Sequence, residues 1–177
     1  MGGGVGNANT SALTAYADNY GTAAADAALT TTATEAINAE MAAMPVGQGG
    51  IFVPFSTVTM GQISDGTSNT YLCGEKYVDA MHYTDGYFDD YTVIYCGCDP
   101  VTIREVCFAD LNPIGYGPRQ DTAGYTNQSI FGSAHAGMCN MAFCDGSVHQ
   151  ISYGIAPHIH YQLGNRADGQ AIDASMY

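Results

Sequence analysis

Apolar and polar positions alternate most clearly near the C-terminus of the chain. The apolar run 138–144 is followed by Asp145-Gly146 and then by a second strand-like run at 147–151. Asp-Gly between two such runs is typical of a type I′ β-hairpin with a two-residue turn. We therefore expect a hairpin here, with Asp145 and Gly146 as its turn.

Further strand patterns are shorter or interrupted. Residues 71–78 predict a strand that is broken at Gly74, and residues 92–95 predict a short strand. Residues 51–60 are rich in β-branched and aromatic residues but contain Pro54. Because proline removes a donor from the ladder, this segment is expected to be an edge strand or a broken strand.

The first predicted helix follows a capping signal. Thr32 and Glu35 have the spacing of a capping box. A run of Ala, Ile and Met follows and ends before Pro45. We expect a short helix at about residues 33–43.

The second predicted helix begins at Pro157, which suits the first turn of a helix. Ile159 and Leu163 lie four residues apart and would share one helix face. Gly164 is a plausible C-cap. These signals predict a short helix at residues 157–163.

Together the patterns give five to seven strands and two short helices. We therefore predict an α+β fold with a mostly antiparallel β-sheet and long loops. Residues 1–34, rich in Gly, Ala, Thr and Asn, are expected to be an extended arm, and residues 35–177 to be the β-rich domain. Residues 99–128 hold three prolines and several glycines and are expected to be a long irregular excursion.

Charge excludes one large class of partner. The chain has 17 acidic and 4 basic residues, which gives a net charge of −13. Binding of DNA or RNA needs clustered Lys and Arg to displace counterions, so nucleic acid is not expected as a partner. No stretch approaches the ~20 apolar residues that a membrane span requires. The acidic residues suit a soluble exported protein, or one that binds divalent cations.

The chain has six cysteines, and their even number together with few lysines fits an oxidising compartment. Disulfides, buried thiols and a zinc site are the alternatives. The CxC spacing of Cys96 and Cys98 does not suit zinc, and neither does the four-residue gap from Cys139 to Cys144. The disulfide candidates are Cys73, Cys96, Cys98, Cys107, Cys139 and Cys144.

Several spaced motifs occur in a recognisable order. Ile-Ser-Asp-Gly-Thr-Ser-Asn-Thr at 63–70 is followed by Gly74-Glu75. Phe-Gly-Ser at 131–133 is followed by His135, nine residues, and then Asp145-Gly146. Over residues 51–172 the chain resembles the prepilin-like proteins of planctomycetes that carry a C-terminal H-X9-DG domain of unknown function.

This resemblance implies a head domain similar to that of type IV pilins and pseudopilins, exported to the cell surface and able to polymerise. Full-length members of the family begin with a long hydrophobic helix, which this sequence lacks. We therefore expect a processed or truncated product, or a variant that assembles without that helix. The resemblance assigns structural roles to the motif residues Asp65, Gly66, Asn69, Glu75, His135, Asp145 and Gly146.

His135 and Asp145 invite comparison with a catalytic pair. If residues 138–144 form a strand, its two ends lie roughly 20 Å apart. We therefore expect Asp145 to form the hairpin turn and His135 to anchor a loop by hydrogen bonds.

Oxygen-bearing side chains provide two candidate Ca²⁺ sites, since Ca²⁺ takes 6–8 oxygen ligands. Asp65, Asn69 and Glu75 form the first, with an Asx-turn at Asp65 as the alternative. The second consists of acidic residues for which a solvated loop is the alternative: Asp85, Asp89 and Asp90. We expect no cofactor other than Ca²⁺ at one of these candidate sites.

Enzyme activity is not expected. A cysteine hydrolase needs a thiol of low pKa near a histidine. Cys139 lies four residues after His135, and Cys144 five before His149, but cysteines inside an apolar strand are more often core residues or bridged.

We expect a structural subunit of an extracellular filament or pseudopilus that assembles with copies of itself. Its contacts would come from residues 5–30, taken by a neighbour as an added strand, and from tyrosines, which suit interfaces. The candidate interface tyrosines are Tyr87, Tyr91 and Tyr177. The alternative is an extracellular module that binds a glycan or an envelope protein, with or without Ca²⁺.

Overall fold

The fold comes from a computed structural model that describes residues 16–22, 49–52, 57–85, 102–107, 115–170 and 172–177, with backbone alone for 16–22 and for Cys107. Within these residues there are seven strands, one α-helix and three short 3₁₀ turns. The strands are β1 (Tyr16–Thr22), β2 (Tyr71–Glu75), β3 (Ile103–Cys107), β4 (Arg119–Gln120), β5 (Gly132–Ser133), β6 (Met138–Phe143) and β7 (Val148–Ser152). The helix is α1 (Pro157–Gly164), and the 3₁₀ turns are Met60–Gln62, Thr67–Asn69 and Ala174–Met176.

Five strands form the main sheet in the order β3-β1-β2-β6-β7. Three of its four neighbouring pairs are antiparallel, and the β1–β3 pair is parallel. β4 and β5 form a separate parallel pair. The predicted α+β fold with a mostly antiparallel sheet is confirmed.

β1 lies inside the segment that was expected to be an extended arm. Tyr16 pairs with Glu75 of β2, and Asp18 pairs with Ile103 of β3. This part of the arm therefore belongs to the sheet. Both partners are distant in sequence, and a strand that is fixed by such long-range pairing leaves little local signal.

β3 and β4 lie in the region that was expected to be irregular. The sequence Ile-Arg-Glu-Val-Cys of β3 alternates in burial, with Arg104 and Val106 buried. The expectation of a wholly irregular excursion at 99–128 was therefore wrong for these segments. The prolines on which it was based flank the strands rather than interrupt them.

The C-terminal hairpin is present, but its turn differs from the prediction. The Gly146 amide donates to the Phe143 carbonyl at 2.9 Å, and Gly146 has φ +88°. The Phe143 amide donates to the Ser147 carbonyl at 2.9 Å. The loop therefore has three residues and ends in a left-handed glycine, as in a type I turn with a G1 bulge, so the two-residue type I′ turn was wrong.

The helix predicted at 157–163 is confirmed as α1, with Ile159 and Leu163 buried. Gly164 is the last helical residue rather than the residue that caps the helix, which is Asn165. A Cβ at Gly164 would overlap the two γ-methyl groups of Val106. The absence of a side chain therefore lets α1 pack closely on β3.

The core lies between α1 and one face of the sheet. Tyr71 contacts Phe143 edge-on, with ring centroids 5.2 Å apart, and His160 of α1 at 5.5 Å. Phe131, Met141 and other apolar residues complete the cluster. Full burial of each such side chain contributes about 1.5–3 kcal/mol, so this contact fixes α1 against the sheet.

Some predicted elements are not found, and others fall outside the described residues. In the segment 51–60, residues 57–59 are irregular and a 3₁₀ turn begins at Met60, so the described part of it is not a strand. The helix at 33–43 and the strand at 92–95 lie outside the described residues. No helix in the part of the chain that the structure covers is both long and apolar enough to cross a membrane.

Candidate functional site

Asp65 connects the motif at residues 63–70 to the C-terminal residues 166–169. Its carboxylate accepts hydrogen bonds from the Asp168 amide at 2.6 Å and the Gly169 amide at 3.0 Å. Its own amide donates to the Arg166 carbonyl at 3.3 Å. Charge-assisted bonds of this kind contribute about 1.5–3 kcal/mol each, so Asp65 holds the tail in place across more than a hundred residues of sequence.

The remaining motif residues around Asp65 shape the turn. Gly66 has φ +98°, a conformation that favours glycine. The Asn69 side-chain amide donates to the Asp65 carbonyl at 3.2 Å. The Asp145 amide donates to the Thr67 carbonyl at 3.1 Å. Both family motifs therefore meet at the end of β6, through backbone contacts.

Asp168 lies beside Asp65 and carries an unusual charge environment. Burial, together with the negative charge of Asp65, raises the pKa of the Asp168 carboxyl to about 6. Oδ1 of Asp168 accepts from the Gln170 amide at 2.8 Å, whereas its buried Oδ2 has no hydrogen-bond partner. Compared with the unfolded chain, the folded state therefore shifts this carboxyl towards its protonated form.

Replacement of Asp168 by Asn is expected to stabilise the protein at pH 7.5. Because the pKa is raised in the folded state, the acid contributes its full stability below pH 3.8 and loses it as the pH rises through 6. Asp168→Asn removes the charge and keeps the Oδ1 acceptor. We expect a gain of about 1 kcal/mol at pH 7.5 after solvent screening, and none near pH 4, by urea unfolding.

Asp173→Asn is the matched control. Hydrogen bonding to the Ser175 amide lowers the pKa of Asp173, so neutralising this residue should not stabilise the protein at pH 7.5. A loss of stability in Asp168→Asn at pH 7.5 would contradict the assignment.

Glu75 and His135 meet at the opposite end of β6. Oε1 of Glu75 lies 3.4 Å from Nε2 of His135, and its Oε2 accepts from the Asn140 amide at 2.7 Å. The His135 side chain is largely exposed. His135 therefore contacts Glu75, although the two residues come from separate sequence motifs. Glu75 also holds this contact at β6 through its bond to the Asn140 amide.

The loop that carries His135 is held by Ser133 and Tyr153. Oγ of Ser133 accepts from the His135 amide at 3.1 Å and lies 2.9 Å from the Tyr153 hydroxyl. That hydroxyl is also 2.9 Å from the His135 carbonyl. The arrangement agrees with His135 as part of an anchored loop.

Asp145 is not brought near His135. Its carboxylate accepts from the Ser147 amide at 2.9 Å and from the Ser147 hydroxyl at 2.6 Å. These bonds lower the pKa of Asp145. Nε2 of His149 lies 3.0 Å from the same hydroxyl. In a catalytic triad the imidazole lies between the acid and the serine, whereas here Ser147 lies between the acid and the imidazole. The three residues therefore cap the turn and do not form a triad.

The three cysteines whose side chains are described, Cys73, Cys139 and Cys144, are thiols, so the predicted disulfides are not found among them. Cys139 lies in β6 and Cys144 one residue beyond its end, so roughly 16 Å of mostly extended chain separates them, beyond the reach of a disulfide. Burial raises the pKa of Cys139 to about 12 and that of Cys144 to about 11, which makes both poor nucleophiles at neutral pH. Cys96, Cys98 and the side chain of Cys107 lie outside the described residues.

The described residues contain no group of three or more acidic, histidine or cysteine side chains placed to hold a metal. Asp65 uses its carboxylate on backbone amides, and Asp85 lies 2.8 Å from Nδ1 of His82. Asp89 and Asp90 are outside the described part of the chain. The Ca²⁺ site stays a prediction.

Of the three candidate interface tyrosines, Tyr177 is described. Its ring stacks on Phe143 with centroids 5.5 Å apart, and its hydroxyl donates to the Ser68 carbonyl at 3.3 Å. Tyr177 therefore packs on its own domain. Tyr87 and Tyr91 are outside the described residues.

Sequence patterns missed a partly buried polar network that joins residues 78–83 to residues 121–124. The Asp79 carboxylate accepts from the amides of Met81 and Gly124, each at 2.9 Å, and these bonds, foremost that from Met81, lower its pKa. Asp121 accepts from the Val78 amide at 3.1 Å and from the Tyr83 hydroxyl at 2.7 Å. The network holds these loops together. It could not be predicted from the sequence, because single Asp residues in loops form no recognisable pattern.

Among the described strands, β7 is one of the two edge strands of the main sheet. It is the last strand in the sheet order, and Val148, His149, Gln150 and Ser152 are exposed. Ile151 alone among its residues is buried, in the core.

Comparison with curated proteins and with solved structures found no match for the chain. One family profile, described as "Protein of unknown function (DUF1559)", matches residues 4–158. Because the match spans well over half of the 177 residues, the chain belongs to this family.

Proposed function

We propose that the chain is a structural subunit of an extracellular filament or pseudopilus and that it assembles through contacts between copies. The observation that carries this proposal is the exposed edge of β7, a strand without a charged residue in a chain of net charge −13. Proteins that stay monomeric usually protect such edges with Lys, Pro or a covering segment.

The use of the motif residues supports the same proposal. Each of three motif carboxylates accepts hydrogen bonds from backbone amides of the same chain: Asp65, Glu75 and Asp145. Such residues hold loops and turns in place. The resemblance to pilin-like proteins adds export to the cell surface and polymerisation to the proposal.

The contact between copies then lies at β7 rather than in the N-terminal arm. Tyr16–Thr22 already pair with β2 and β3 of the same chain. A neighbour could take this strand only if it left its own sheet. The β7 edge needs no such rearrangement.

Light scattering over a range of protein concentrations tests the proposal. The expected result is an average mass above that of one chain that rises with concentration. A mass that stays at one chain, together with binding to a polysaccharide, would favour an extracellular binding module instead.

A further inference from the structure

The ladder between β6 and β7 fixes which backbone groups of β7 are open. Two hydrogen bonds mark the ends of this strand pair. The Phe143 amide donates to the Ser147 carbonyl at 2.9 Å, and the Tyr153 amide donates to the Gly137 carbonyl at 3.1 Å. Bonded and non-bonded residue pairs alternate between these limits. The β7 residues whose amides face away from β6 are Val148, Gln150 and Ser152.

These open groups lie at the protein surface. The side chain of Val148 is 65% exposed, and Gln150 and Ser152 are also exposed. The Ser152 carbonyl accepts from the Ile155 amide at 3.0 Å. Among the described residues, no other segment bonds to the backbone amide or carbonyl of Gln150, which lies at the strand centre.

Charge indicates what can dock there. Two copies of a chain with net charge −13 repel each other over most of their surfaces. β7 has the sequence Val-His-Gln-Ile-Ser, which brings no carboxylate to the edge. A second copy can therefore approach along this strand without facing acid with acid.

We propose that β7 pairs with β7 of a second copy, antiparallel and about a two-fold axis at Gln150; this inference rests on the proposed function and names its contact. Gln150 exchanges both backbone hydrogen bonds with its counterpart, and Val148 lies opposite Ser152 of the second copy. The main sheets of the two chains become continuous. The contact is isologous, as in most homodimers, so it joins two copies, and a filament needs a second contact between such pairs.

The neighbouring residues favour the antiparallel arrangement. With Gln150 on the axis, Asp145 of one copy lies toward Ile155 of the other. A parallel, in-register arrangement would set the Asp145 carboxylates of the two copies side by side. Like charges directly opposite each other destabilise a strand pair, so the antiparallel arrangement is preferred.

A charge swap at the axis tests the contact. Gln150→Glu and Gln150→Lys each place like charges opposite each other, so each variant alone should dimerise about tenfold more weakly than the unmodified protein by sedimentation velocity. An equimolar mixture of the two should recover dimerisation, because Glu then faces Lys. Rescue in the mixture requires that position 150 meets position 150.

Gln170→Glu and Gln170→Lys are matched controls, since Gln170 is exposed and distant from β7 in sequence, and neither should change dimerisation. Far-UV circular dichroism checks that each variant is folded. If the unmodified chain assembles and the Gln150 variants assemble equally well, or if the mixture shows no rescue, the β7 contact is wrong while the proposed function stands. If the unmodified chain never self-associates, both fail.

Discussion

Acidification from pH 7 to pH 4.5 is expected to destabilise the protein by about 2.5 kcal/mol through His160 alone. Burial lowers the pKa of His160 to about 3, from an ordinary value of 6.5. In the unfolded chain the imidazole binds a proton below pH 6.5, whereas in the folded chain it stays neutral. Stability is therefore fully present above pH 6.5 and is lost as the pH falls toward 3.

The surroundings of His160 explain this shift. The residue is 1% exposed and packs against Tyr71 and Phe131. Its Nδ1 lies 3.3 Å from the Tyr71 hydroxyl, and its Nε2 has no hydrogen-bond partner. No carboxylate contributes to the shift, so a charged imidazole would be buried without compensation.

His160→Asn tests this prediction, because Asn keeps a polar atom near the position of Nδ1 but does not titrate. Urea unfolding at several pH values should show the stability of the variant falling by about 2.5 kcal/mol less than that of the unmodified protein between pH 7 and pH 4.5. His158→Asn, at an exposed position on the same helix, should follow the unmodified protein. Parallel pH profiles for the unmodified protein and His160→Asn would contradict the account.

Gly164→Ala is expected to destabilise the protein by about 3 kcal/mol, although Ala usually favours a helix over Gly. The added Cβ would overlap both γ-methyl groups of Val106, which is fully buried on β3. Neither the helix nor the strand can move without disturbing the core. Thermal and urea unfolding measure the loss.

A double-mutant cycle shows whether the clash is the cause. Val106→Ala removes both γ-methyl groups and should by itself cost about 2.5 kcal/mol through the cavity that it leaves. The double variant should be about 2 kcal/mol more stable than the sum of the two losses predicts. If the two losses simply add, the clash with Val106 is not the cause of the loss in Gly164→Ala. Gly154→Ala, at an exposed turn position, is a control for glycine replacement in general.

Local signals in the sequence were sufficient for the C-terminal part of the fold. Pro157, with apolar residues four apart after it, defines α1, and Asp145-Gly146 between two apolar runs marks the hairpin. The turn type was missed because an Asp-Gly pair fits both a two-residue loop and a three-residue loop. The bonds from Ser147 to Asp145 stabilise the longer one.

Long-range pairing accounts for the elements that the sequence did not predict. β1 combines Gly, Asn and Ala with two tyrosines and is fixed by two strands from distant parts of the chain. β3 follows a segment rich in turn formers, which concealed its alternation.

The candidate site residues were recognised individually, but their partners were not. Resemblance to a family drew attention to Asp65, Glu75 and His135. It did not indicate that Glu75 lies beside His135 or that Asp65 binds the amides at 168 and 169. Such contacts depend on how the strands are ordered in the sheet, and spacing along the chain does not determine that order.

Negative-stain electron microscopy of the native protein tests the central claim most directly. The account predicts filaments or regular multimers built from this chain. It also predicts that Gln150→Glu shortens or removes them. A field of single, unassociated molecules at high protein concentration would contradict the claim that this chain is a self-assembling structural subunit.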